Sequence, residues 1–269
     1  MEKTDAKYLR RYFILAYIIF WLLIAFTGFL IFLEVPSLVQ SIMKNVCAWT
    51  PFFVIIIMFK KLYPNLNFKE YFKLQFTKKI GAGLFVSSLL LQVFIASISV
   101  LVFFLINNKS LDTMTLIGVS FIGPVLITDL TGGAVGEELG WRGYALNTLQ
   151  KKYTPFVASL ILGVLWGFWH LPLMLLSGYS GIELVYYIMA FMLAIISFSL
   201  IITFFFNKCQ NILIAMWMHF WFNFLMKIVV IKPLDLLTYV AFGYLISAAV
   251  IVLFNRNEML KKREWKPEQ

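Results

Sequence analysis

The chain has 269 residues, 61% hydrophobic and 13% charged, with a formal net charge of +10. Soluble domains carry about 25% charged residues, so the composition excludes a soluble globular protein and describes a polytopic membrane protein. The positive excess lies between apolar runs, where it sets orientation and meets anionic lipid, so no nucleic-acid partner is implied.

Lys3, Lys7, Arg10 and Arg11 precede an apolar run from Tyr12 to Phe32. That run is too long for the apolar core of a signal peptide, and an uncleaved first span is expected. Further apolar runs bounded by charge or turn residues predict spans near 12–33, 39–59, 80–106, 114–150, 154–176, 182–206, 212–231 and 234–254. The expected fold class is all-α, a polytopic membrane protein of eight transmembrane helices with the active site inside the helical bundle. We expect one integral membrane domain over 1–269, with a motif-bearing core at about 114–231 and a basic cytoplasmic tail at 255–269.

With the N-terminus inside, 18 of the 23 basic residues fall on one side: those named above with Lys60, Lys61, Lys69, Lys73, Lys78, Lys79, Lys151, Lys152, Lys208, Arg256, Lys261, Lys262, Arg263 and Lys266. Lys44, Lys109, Lys227 and Lys232 fall on the other, so both termini are expected in the cytoplasm, and the composition fits a bacterial plasma membrane. Between Lys60 and Lys79, aromatic residues alternating with lysines read either as an amphipathic segment on the inner leaflet or as a plain basic loop. Cys47 and Cys209 have neither disulfide nor metal spacing.

The run 114–150 is anomalous, because continuous helix of that length would reach about 55 Å against a hydrocarbon core of roughly 30 Å. It must break or protrude, and Gly123-Pro124 and Gly132-Gly133 are the natural break points, with Pro51 a kink in the second span. Just after the second glycine pair stands Gly136-Glu137-Glu138-Leu139-Gly140-Trp141-Arg142. Charge inside a bilayer costs roughly 2.5 to 3.5 kcal/mol per residue and marks a functional interior. Glu138 and Arg142 are one helical turn apart and can neutralise each other. Glu137 points about 100° away and needs another neighbour.

The only two histidines, His170 and His219, both lie in predicted spans. In an antiparallel hairpin turning near Tyr153, Glu137 and His170 are nearly equidistant from the turn and should face each other. A carboxylate and an imidazole in one dry pocket are the usual apparatus for activating water by general base catalysis. His219 and Asn223 share a helix face and offer two donors to one point, suited either to a developing oxyanion or to interhelical packing. Heights measured from the two turns disagree, and a hairpin projecting some 8 Å beyond the inner surface would place the site in the cytoplasmic half of the bilayer. The aromatic residues nearby, Trp166, Trp169 and Phe220 among them, could wall a cavity for a hydrophobic peptide or pack against lipid.

Glu137-Glu138-x-x-x-Arg142, then Trp166 four positions before His170, then His219-x-x-x-Asn223 together resemble the CPBP family of intramembrane proteases. That family includes the type II CAAX prenyl endopeptidases and bacterial proteins linked to bacteriocin self-immunity. The resemblance covers 114–231. One departure is Trp166, where the family usually has phenylalanine, a change that keeps an aromatic wall. The resemblance implies a glutamate-dependent intramembrane peptidase without a cofactor, acting on a membrane-associated peptide or protein that is lipid-modified or hydrophobic. It implies that Glu137 and His170 activate water, that His219 and Asn223 hold the oxyanion, and that Glu138 and Arg142 are structural support. Three other readings stand beside it. Glu137, His170 and His219 could ligate a catalytic zinc. Asp129, Glu137, Glu138 and His170 could form a proton relay in a transporter. The pocket could also serve a non-catalytic membrane immunity or scaffold protein.

Overall fold

The computed structural model describes residues 3–263, so Lys266 and the end of the basic tail, 264–269, lie outside the described residues. The helices are α1 (Lys3–Phe32), α2 (Ser37–Ala48), α3 (Thr50–Leu62), α4 (Phe68–Leu74) and α5 (Ala82–Ile106). Next comes one long run in which α6 (Val119–Asp129), α7 (Val135–Gly140) and α8 (Asn147–Gln150) are joined by π-helical turns at Leu130–Ala134 and Trp141–Leu146. Then follow α9 (Pro155–Trp169), α10 (Leu171–Leu175), α11 (Gly181–Cys209), α12 (Ile212–Ile228), α13 (Pro233–Phe254) and α14 (Arg256–Met259). Among the described residues the regular structure is all helical, apart from one isolated bridge between Leu116 and Val229.

Among the described residues five helical runs are long and apolar enough to cross a membrane, and α2 with α3, bent by 50°, makes a sixth. The expected count of eight spans is not reached, because α9 and α12 have only 15 and 17 residues. At 1.5 Å per residue these reach about 22 and 25 Å, short of a core of roughly 30 Å. Each stops for a local reason. His170 takes φ −76° and ψ −4° ahead of Pro172, whereas Val229 turns extended and bridges to Leu116. Large apolar side chains such as Leu22, Phe32, Leu90, Phe94 and Phe254 remain exposed. On helices of this length such a surface is the lipid-facing side of an integral membrane protein.

The interval 60–79 contains a helix, α4, whose N-terminus is closed by a reciprocal capping box between Asn67 and Glu70. Tyr71 on this helix is buried against Phe59. The α2–α3 bend falls at Trp49, with Pro51 in the first turn of α3. Pro124 stays inside α6, and the break in the long run comes at Gly132, whose ψ of −111° is not helical. Gln150 and Asn207 exchange amide hydrogen bonds of 3.2 and 2.7 Å, which sets the end of the α8–α9 hairpin level with the last turn of α11. The hairpin therefore ends level with α11 and does not rise beyond it. A six-residue π-turn, Trp141–Leu146, interrupts the regular rise on which the height estimate depended.

α7 lies at the centre of the bundle because its rear face is nearly bare. A Cβ added at Gly136 would lie 2.9 Å from Trp49 Cα, and one at Gly140 would lie 2.7 Å from the Pro51 carbonyl carbon. The two glycines, four residues apart, bring the backbone of α7 directly onto the α2–α3 bend, as small residues do in membrane helix pairs.

Candidate active site

The three faces of α7 do different work. Its rear face packs through Gly136 and Gly140, and the next face carries Glu138 and Arg142. Arg142 Nη1 donates to Glu138 Oε1 at 2.8 Å, with both side chains 0% exposed. The guanidinium also lies over the Trp166 ring, 4.4 Å from its centroid, an arrangement in which ring and carboxylate both face the cation. Glu138 Oε1 accepts a second bond, from His219 Nδ1 at 2.8 Å. A carboxylate only accepts, so Nδ1 carries the proton and Nε2 is the nitrogen left for other partners.

The third face, continued into the flanking π-helical turns, carries Gly133, Glu137 and Trp141 at four-residue spacing. Glu137 Oε2 accepts from Trp166 Nε1 at 2.6 Å and from Trp141 Nε1 at 3.3 Å. Both indole bonds land on the same oxygen, and Oε1 lies on the side of Gly133 and His219. His170 caps α9, and its Nδ1–H donates to the Trp166 carbonyl at 2.9 Å. The neutral ring then keeps Nε2 as an acceptor.

Glu137, Trp166, His170, His219 and Asn223 all line one cavity of about 320 Å³, walled by α11, α12 and α13. The fold thus brings together the four residues read from the sequence as catalytic. Trp166 is both wall and hydrogen-bond donor. Trp169 and Phe220 do not reach this cavity. Trp169 is buried, donates to the Ala16 carbonyl at 3.1 Å and stacks on Phe20. Phe220 points to the opposite side of α12 and packs with Ala134 and Phe224. Asp129 pairs with Lys227, which lines the cavity's outer end. Among the described residues no three His, Cys, Asp or Glu side chains are grouped so as to hold a metal ion.

Three features of the site were not anticipated: the His219–Glu138 bond, the double indole grip on Glu137, and Gly133. The His219–Glu138 and Trp166–Glu137 bonds join residues 81 and 29 positions apart, which no local spacing signals, whereas Trp141 stands four residues after Glu137 at ordinary helical spacing. Gly133 carried a signal in its position four residues before Glu137. A Cβ there would lie 3.0 Å from Glu137 Oε1 and 3.1 Å from His219 Nε2. Gly133→Ala is therefore expected to push these two groups apart and to lower turnover of any reaction at this site. The expected thermal unfolding temperature in detergent is close to that of the parent. Undiminished turnover would show that the space above Gly133 is not used.

Residues 119–225 match the family of type II CAAX prenyl endopeptidases described as Rce1-like. Over 144 residues the chain is 33% identical to the CAAX prenyl protease 2 of Methanococcus maripaludis, and the match covers 52% of this chain and 52% of that protein. The chain thus spans about half the length of the curated relative it matches. The matched segment contains every residue placed around the cavity from α7, α9 and the first three turns of α12.

Proposed function

We propose that this membrane protein, whose residues 119–225 match the family of type II CAAX prenyl endopeptidases, is an intramembrane endopeptidase in which Glu137 activates water. The observation that carries the proposal is the convergence of Glu137, His170, His219 and Asn223 on one cavity. In this reading a water held by Glu137 Oε1 and His170 Nε2 loses a proton to the carboxylate as its oxygen attacks the scissile carbonyl. Negative charge then gathers on the carbonyl oxygen. His219, its Nδ1–H held by Glu138, can carry a positive charge and donate from Nε2 to that oxygen, with the Asn223 amide as a second donor. Collapse of the tetrahedral intermediate breaks the C–N bond, and the proton taken up by Glu137 passes to the leaving amine. Trp141 and Trp166 fix the carboxylate's orientation by occupying its other oxygen, while Arg142 balances the charge of Glu138.

The apolar walls formed by Phe191, Phe222 and Leu237 support a hydrophobic or lipid-modified peptide as substrate. We place the protein in a plasma membrane with both termini in the cytoplasm, and count α9 and α12 as short spans of an eight-helix bundle. No metal enters the mechanism. Purified protein is therefore expected to keep its peptidase activity through prolonged dialysis against a chelator. Loss of activity that added zinc restores would instead favour a metal held by Glu137, His170 and His219. Comparing peptides from cells carrying the parent protein or Glu137→Ala tests the function and identifies the substrate. Identical peptide profiles would favour the non-catalytic immunity or scaffold reading.

A further inference from the structure

Apart from serine hydroxyls, α5 carries one polar side chain, the amide of Gln92, near the middle of the helix. Ser88, Gln92, Ile95, Ser99 and Phe103 recur at intervals of three and four residues and are buried, so they form the face that α5 turns into the bundle. A leucine would fill the same place with no polar group to satisfy. A buried amide is costly unless it is hydrogen-bonded, so the partners of Gln92 show what the amide is there to hold.

Both ends of the amide are used. Gln92 Nε2 donates to the Met218 carbonyl at 2.7 Å, and Gln92 Oε1 accepts from the Tyr244 hydroxyl of α13 at 2.5 Å. All three residues are buried. The Met218 carbonyl belongs to the peptide unit that joins Met218 to His219, so Gln92 grips the backbone of α12 immediately before the histidine. A helical carbonyl has two lone pairs, and one of them can serve a side chain. α13 comes close to α5 at Gly243, where a Cβ would lie 2.9 Å from Ile95 Cγ2 and 3.2 Å from Ser99 Oγ. The Tyr244 ring packs edge-on against Phe198 and Phe222, with centroids 5.6 and 5.2 Å away. Phe198 in turn meets the His219 ring edge-on at 6.2 Å.

His219 is thus held at two points, its ring by Glu138 and its backbone by Gln92. The Glu138 bond fixes Nδ1 and leaves the imidazole free to pivot about that atom whenever α12 shifts. The direction of Nε2 is set only when the backbone is held as well. We propose that Gln92, braced by Tyr244, is a positioning residue for the candidate site. Through the Met218 carbonyl it fixes the height and rotation of α12, and with them the placing of His219 Nε2 and of the Asn223 amide one turn further on. This inference rests on the peptidase reading for its effect on turnover, and on the geometry alone for its effect on His219.

The test exploits the presence of only two histidines in the chain. Full-length protein isotopically labelled on its imidazole nitrogens is reconstituted in lipid bilayers for magnetic resonance, and His170→Gln assigns the signals. Gln92→Leu and Tyr244→Phe are each expected to shift or split the His219 signals and to leave those of His170 as in the parent. Tyr244→Phe keeps the ring and removes only the hydroxyl, so it reports on the brace even if Gln92→Leu misfolds. With a peptide substrate, Gln92→Leu is expected to lower kcat by about 10- to 100-fold, as displaced catalytic groups do, while KM changes little. His219 signals identical to the parent's in both variants overturn the proposal. So does an equal shift of both histidines, which would mark a general loosening of the bundle. The spectra need no substrate, so a failed peptidase reading shows as undiminished turnover by Glu137→Gln, with the His219 shift still present.

Discussion

Glu137→Gln is expected to lower peptide turnover by about 10²- to 10⁴-fold, the range that a positioned general base contributes. Glutamine has nearly the shape of glutamate and retains a carbonyl oxygen that can accept from Trp166 and Trp141, the two donors that hold Oε2 at 2.6 and 3.3 Å. It cannot take a proton from water. The variant should therefore fold, bind substrate and fail in the chemical step, so kcat falls while KM changes little. The measurement is steady-state cleavage of a peptide found by the cellular comparison, alongside a melting curve in the same detergent. Turnover within a few-fold of the parent would remove Glu137 from the mechanism and leave His170 and His219 as the bases in the cavity.

The largest loss of stability is expected from Arg142→Leu. Arg142 and Glu138 are both 0% exposed and meet at 2.8 Å, and removing one partner of a buried pair costs about 3–5 kcal/mol because the other is left uncompensated. His219 is the only other side chain bonded to Glu138 Oε1 among the described residues, so it would have to balance the charge alone. Denaturant or thermal unfolding in detergent measures the loss. The double variant Glu138→Gln/Arg142→Leu is expected to recover part of it, since no orphaned charge remains. A single variant as stable as the parent would mean that water already screens the pair.

Much of this site was legible because its chemistry is concentrated in few residues. Two histidines in an apolar chain, and acids with an arginine at helical spacing, are conspicuous wherever charge is costly. The equal distances of Glu137 and His170 from the hairpin turn placed them at one level, and both do line the cavity. The partner of Glu138 was only half visible. Arg142 lies at i+4 and was read directly, whereas His219 arrives from a different helix and its ring orientation depends on tertiary packing. Helix length was the other blind spot. Apolar composition continues past His170 and past Ile228, and hydropathy does not register that the backbone turns at those points. Trp169 and Phe220 illustrate the same limit, since aromatic residues near a motif are equally at home in the wall, in the core or on a separate surface.

The bare rear of α7 has a consequence for how this stretch can vary. With glycines at 136 and 140 pressed against Trp49 and Pro51, the helix cannot rotate about its own axis without driving its backbone into its neighbour. The azimuth of both glutamates is thus set from behind, by atoms that never meet a substrate. Variation in what such a scaffold accepts would then be carried by α11 and α13, which supply walls but no acid or base, while the glutamate-bearing turn stays locked in place.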